Sequence, residues 1–410
     1  MPNLMKGLVS DDLIGTLPGN QMTVDVSEAP PLSRGAAHPQ ASASAENSPA
    51  AASLFGPVVD FFALGGFTFI VVPLFFLLPE TSQPTVAAVA FALANVINHP
   101  HFAHSYQLFY RGFWNKVSDT GVSAVFRLRY AVAGVLVPIA LSLFLIVNFL
   151  REDIATLGLA GNLMAFLVGW HYVKQGYGML IVQSVLKRQF FRDAEKRLLV
   201  INSYACWISS WLLLNYMLGQ GSMWGVEYFV IPINVRFVYV SGAFALLSTA
   251  AMVTMLVRKK WDKQLPVPWA GIVAYVVSIY IWLLASLLPM LILIVPALHS
   301  LQYLLVVWRF ELNFEKQRVV SKGLLQSVFT NTAIKRFSIF IGLGVLLGYI
   351  GFFALPYYLE SHVELSQSAF SSGVFLFMTW IFINVHHYFI DNVLWRRENP
   401  ETGKYLFTHH

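Results

Sequence analysis

The sequence predicts an all-α, polytopic integral membrane helical bundle with about ten transmembrane helices. Three observations carry that expectation. Of 410 residues, 57% are hydrophobic and only 12% charged, with a mean hydropathy of +0.61. Apolar stretches long enough, at about twenty residues, to cross a hydrocarbon layer of roughly 30 Å recur along the chain. The charged residues fall between those stretches, with a basic set alternating against a more acidic one.

Residues 1–54 have no periodic apolar pattern. Ser10-Asp11-Asp12, Pro30-Pro31 and the Ala/Ser/Pro run from Ala41 to Ser53 read as a disordered tail. The segment lacks the basic start and continuous apolar run of a secretory signal. A helical membrane domain follows over 55–396, and 397–410 is a short C-terminal tail. The expected spans are 57–79, 84–105, 130–150, 157–185, 199–218, 236–257, 267–285, 288–308, 337–358 and 368–395. The seventh and eighth are the hardest to separate, because Trp269 to Val307 carries no charge and only Ser286 to Pro289 suggests a turn.

Loop charge gives an orientation. Arg111, Lys116, Arg127 and Arg129 share one side with the groups Lys187–Arg197, Arg258–Lys263, Arg309–Lys322 and Arg396-Arg397. Glu80, Arg151-Glu152-Asp153, Glu227, Glu360 and Glu364 lie on the other. The positive-inside rule then places both termini in the cytoplasm of a cell inner (plasma) membrane protein. The formal charge of +6 is topological, and no nucleic-acid partner is expected; the partners are the bilayer and a lipophilic small molecule. A single cysteine, Cys206, excludes an intrachain disulfide and a cysteine-based metal cluster.

Four of these spans carry histidine, and ionisable groups inside membrane helices are costly enough to mark functional sites. His101, His299 and His386 are each followed nine residues later by an aromatic–arginine pair: Tyr110-Arg111, Trp308-Arg309 and Trp395-Arg396. His171 sits in Gly169-Trp170-His171-Tyr172. The four spans run in one direction, and His101, His299 and His386 share a depth about 15 Å above the basic anchors; His171 lies farther from Lys187, with Lys174 one turn away reaching toward the same surface. His101 and His104 share a helix face, as do His387 and Asp391. His386 points about 100° away from His387, so one of that pair faces the site. Neutral imidazole suits iron, copper, zinc or nickel. The expected metal ligands are His101, His171, His299 and His386 or His387. His104 is a further ligand or a hydrogen-bonding group for bound oxygen, and Asp391 orients a ligand imidazole. Tyr172, Gln175, Tyr177 and Tyr303 are candidate chamber residues. Asp60 reads as interfacial, and His38, His362, His409 and His410 lie in tails or loops.

The motifs resemble those of the bacterial beta-carotene dioxygenases of the Brp/Blh type. Pro100-His101, His171-Tyr172, His299-Ser300 and His386 with Ile390-Asp391 occur in that family's order. Phe102 and Val173 stand where the family has glycine, and Tyr303 where it has a second histidine. The resemblance implies Fe(II) held by histidines, molecular oxygen as co-substrate, and oxidative cleavage of a carotenoid or related isoprenoid or acyl chain. Two other readings compete. One is a di-iron desaturase or hydroxylase, against which the chain has no HxxHH cluster. The other is a haem- or metal-binding transporter or electron-transfer protein without oxygenase activity.

Overall fold

A computed structural model describes residues 53–407 apart from 218–220, 224–225, 229, 264–267, 288–290, 321–325, 365–369, 371 and 397. Nearly all of the expected N-terminal tail lies outside the described residues, as do His38, His409, His410 and the later part of the Ser286–Pro289 turn.

Apolar helices follow one another along the chain. They are α1 (Pro57–Gly66 and Thr68–Leu77), α2 (Pro84–Tyr110), α3 (Ala124–Leu150), α4 (Ile154–Leu186) and α5 (Asp193–Met217). After them come α6 (Val235–Lys263), α7 (Trp269–Leu287) and α8 (Leu291–Val320). The last two are α9 (Asn331–His362) and α10 (Val374–Leu394). Among the described residues seven of these, α2 to α6 with α9 and α10, are long and apolar enough to cross a membrane. The halves of α1, bent by 44°, make an eighth if they form one span. The shortfall from ten falls on α7 and α8. α7 and α8 flank residues 288–290, which lie outside the described residues, and the described apolar stretch of α7 is the short Trp269–Ala285. Between α5 and α6 lies a two-stranded antiparallel hairpin, β1 (Gly221–Met223) and β2 (Val226–Tyr228).

Helix ends follow local chemistry. Ser123 accepts a hydrogen bond from Phe126 N at the start of α3, and Asp153 accepts one from Thr156 N at the start of α4. Hydrogen bonds from the Thr156 hydroxyl and amide hold the half-buried Asp153 carboxyl below its usual range. Asp60 binds the incoming chain, its carboxylate accepting from Leu54 N, Phe55 N and Gln183 Nε2. The C-terminal tail contains a helix, Pro400–Leu406, docked on α8 where Asn313 Nδ2 donates to Tyr405 O at 2.8 Å.

Among the described residues four helices contain a π-helical turn: Phe62–Gly66 in α1, Ala94–Asn98 in α2, Val132–Leu136 in α3 and Ile350–Ala354 in α9. The last three each precede a proline by two residues: Pro100, Pro138 and Pro356. Proline has no N–H for the carbonyl four residues back and clashes with it. The widened turn absorbs that clash and frees carbonyls. One of them, Gly134 O, takes the Tyr110 hydroxyl at 2.9 Å. In α1 the break falls at Gly65, whose φ of 157° is open to glycine alone.

Polarity is distributed inside out. On α6, Phe237, Leu246 and Leu247 are 64–70% exposed, whereas Asn98, His101, His104, His387 and Ser300 are buried. A large apolar exterior around a polar interior describes a multi-pass membrane protein. At one end of the bundle, Arg111 after α2 makes a two-pronged pair with buried Glu311 on α8 (2.9 and 2.8 Å), and its guanidinium lies 3.8 Å from the Phe314 ring centre. Glu311→Gln weakens that tie. Because the Arg111 side chain is 29% exposed, the expected loss is about 2 kcal/mol rather than that of a fully buried pair. A thermal melt in detergent checks it, and an unchanged midpoint would show that the pair contributes nothing.

Candidate metal centre

Four helices close a ring in the order α2, α10, α4, α8 and back to α2, each packed on the next. These are the four helices on which the sequence places histidine. His101 from α2, His171 from α4, His299 from α8 and His387 from α10 converge in the middle. Ring centroids are 4.5 Å apart for His101 and His387, 5.0 Å for His171 and His387, 5.1 Å for His171 and His299, and 5.4 Å for His101 and His299.

One atom from each of His101, His171, His387 and Asp391 lies within 4.8 Å of all the others, and all four residues are buried. Asp391 Oδ2 is 3.3 Å from His387 Nε2 and 3.8 Å from His171 Nε2. Its other oxygen accepts from the Tyr303 hydroxyl at 2.7 Å. The carboxylate thus stands among the imidazole nitrogens, where the sequence reading had it orienting one from behind.

Serine hydroxyls take that orienting place. Ser105 donates to Phe102 O at 2.7 Å, and its oxygen lies 2.7 Å from His387 Nδ1. Ser300 donates to Asn98 Oδ1 at 2.8 Å, and its oxygen lies 3.1 Å from His101 Nδ1. A hydroxyl has one proton to give. With that proton committed to a carbonyl oxygen, each serine accepts from the imidazole Nδ1–H. Nε2 of His101 and His387 then carries a lone pair, and neither atom has a hydrogen-bond partner. His171 Nε2 is likewise without one. A metal-binding histidine is held in this way, by donation from the nitrogen away from the metal.

His299 lies beside this group with both ring nitrogens buried and unpartnered. Tyr172 stacks on it at 3.6 Å, and Gln175 Nε2 donates to its backbone carbonyl at 3.0 Å. Tyr388 stacks on His171 and Phe102 packs against both His101 and His387. Tyr177 belongs instead to the apolar core among α4, α5, α6 and α7.

Besides His299, an expected ligand that stands beside the four-residue group, two expected residues lie outside it. His386 Nε2 donates to Ala133 O at 3.0 Å, and Nδ1 accepts from the Tyr106 hydroxyl at 2.9 Å. Both its nitrogens are satisfied on the α3 side, so His387 is the inward member of the pair. The nine-residue spacing therefore selects the wrong neighbour on α10: a shared depth does not fix a shared facing. His104 turns toward α9, stacked on Phe340 at 4.4 Å with Nδ1 donating to Gln107 Oε1. Its ring fills the space that a side chain at Gly344 would need. Sequence reasoning passed over Ser105, Ser300 and Asn98. Their one visible signal was proximity, since Ser300 adjoins His299 and Ser105 lies one turn past His101.

Comparison with protein-family models, with curated proteins and with solved structures gives no match to this chain. Alanine at His101, His171, His387 or Asp391 is expected to abolish stoichiometric retention of a divalent metal by the purified protein, measured by elemental analysis. His104→Ala and His386→Ala are expected to retain it. Loss of metal in His386→Ala at unchanged stability would contradict the facing seen here.

Proposed function

We propose that this chain is a multi-pass membrane oxygenase holding one non-haem Fe(II) ion on His101, His171, His387 and Asp391, with molecular oxygen as co-substrate. The observation that carries the reading is that one nitrogen from each of His101, His171 and His387 and one Asp391 oxygen lie buried within 4.8 Å of one another, while Nε2 of each of these imidazoles has no hydrogen-bond partner. Unpaired polar atoms at that burial are costly, and a cation relieves all of them together. Three neutral imidazoles and one carboxylate suit first-row metals, iron among them. A haem fits poorly, because imidazoles packed this closely on all sides leave no slot for a macrocycle. The motif order shared with the Brp/Blh-type dioxygenases favours iron and oxygen over a purely structural ion.

Bound there, Fe(II) would supply the one-electron chemistry that lets oxygen react with an unactivated hydrocarbon. The protein's own residues do the rest. Ser105 and Ser300 fix the imidazole tautomers and directions. Tyr303 holds one Asp391 oxygen, leaving the other for the site. Tyr172, Tyr388 and Phe102 wall off water. His299, the unpartnered imidazole, is placed as a fourth ligand or as the group that hydrogen-bonds a molecule bound beside the ion. The substrate is lipophilic, a carotenoid, isoprenoid or acyl chain that enters from the bilayer. In this reading all ten helices cross an inner (plasma) membrane, and both termini are cytoplasmic.

Purification in detergent followed by elemental analysis and visible spectroscopy tests the proposal. The expected result is about one iron per chain with no Soret band, and iron-dependent oxygen uptake with a polyene or acyl substrate. Absence of metal under every loading condition would sink it. Ser105→Ala and Ser300→Ala are expected to weaken metal affinity roughly 10- to 100-fold without removing a ligand, as measured by chelator competition.

A further inference from the structure

A cation without an anion stands beside the candidate centre. Lys174 lies one turn after His171 and near the middle of the 33-residue helix α4. Its ammonium has two neutral partners: Nζ donates to Asn392 Oδ1 on α10 at 3.2 Å and lies 4.6 Å from the Trp170 ring centre. Among the described residues no carboxylate pairs with it. Arg396 brings a second positive charge to the same seam, its Nε donating to Asn392 O at 2.8 Å.

The seam is also open. Trp170, Lys174 and Gly178 follow one another at four-residue steps along one face of α4. A Cβ placed on Gly178 would meet nothing within 4 Å. Glycine inside a helix costs stability, and here its effect is to leave the helix face open one turn past Lys174.

A lone ammonium at this depth is unfavourable, and a metal ion held one turn away on His171 adds repulsion. An anion lying between α4 and α10 relieves both. We propose that Lys174 and Asn392 bind the carboxylate of a lipophilic acid, whose chain occupies the opening beside Gly178. The ammonium would make a charge-assisted pair with the carboxylate, and the Asn392 amide N–H can donate to it. Lys174 is one turn from His171 and Gly178 one turn beyond Lys174, so the carboxylate end of the acid is the end nearest the centre. The substrate role rests on the metal-oxygenase reading, whereas the binding itself needs no metal.

The test uses metal-free full-length protein in neutral phosphatidylcholine nanodiscs. The probes are a stearic acid carrying a nitroxide near its carboxylate and the methyl ester of that acid. Electron paramagnetic resonance is expected to show an immobilised fraction for the acid and none for the ester. Lys174→Met is expected to weaken acid binding about tenfold or more, and Lys174→Arg to keep it within about threefold. Gly178→Leu, which fills the opening without altering charge, is expected to weaken it as Lys174→Met does. Equal binding of acid and ester, or full binding by a folded Lys174→Met, would overturn the proposal. So would equal competition by phosphatidylglycerol, which would mark a boundary-lipid site. Metal retention is measured separately on the same variants. Acid binding through Lys174 in a protein that takes no metal would defeat the oxygenase reading alone, and metal retention without acid selectivity would defeat this inference alone.

Discussion

The constraint on which the centre of this protein depends is the hydrogen-bond accounting of buried imidazoles. A neutral imidazole has one donor and one acceptor nitrogen, and the interior of an apolar bundle offers little to meet either. His386 meets both demands with protein groups, Ala133 O and the Tyr106 hydroxyl. His101 and His387 meet only the donor demand, through Ser300 and Ser105. Their acceptor nitrogens have no hydrogen-bond partner, and both residues lie in one buried group with His171 and the Asp391 carboxylate. The same residue type thus serves as a satisfied structural group and as an unsatisfied one, and the difference lies in its partners.

The ring of α2, α10, α4 and α8 is what allows four such groups to meet, and the remaining helices brace it. α7 packs along α4, α9 along α2, and α1 along α7 and α8. The π-helical turns are part of this bracing. The turn before Pro100 precedes His101 and includes Asn98, whose side chain takes the Ser300 proton. The turn before Pro138 frees the Gly134 carbonyl for Tyr110 and presents the Ala133 carbonyl to His386. Proline in these helices therefore redirects backbone polar groups to side chains, which a membrane interior rewards because no water is present to accept them.

Much of this was legible in the chain. Composition and the hydropathic stretches specify a helical membrane protein. The histidines on the second, fourth, eighth and tenth apolar stretches mark the helices that form the ring. The His387–Asp391 spacing puts imidazole and carboxylate on one face of α10. Facing was less legible. His386 and His387 are adjacent, and their choice is made by α3, whose freed carbonyls capture His386. His101 and His104 share a face in an ideal helix, yet His104 is drawn off by Phe340 and the side-chain-free surface of Gly344. Gly342, two residues before Gly344 in the same helix, faces open space.

By itself the sequence determined the class of protein, the helices that bear ionisable groups and the donor types available, because burying polar side chains in apolar helices is too costly to be incidental. Only the tertiary structure decided which nitrogens are left without partners, that Asp391 stands within the cluster, and that Ser105 and Ser300 hold the imidazoles. Those outcomes depend on how helices far apart in sequence rotate against one another. The pairing of Ser105 with His387 spans 282 residues, and no local pattern encodes it.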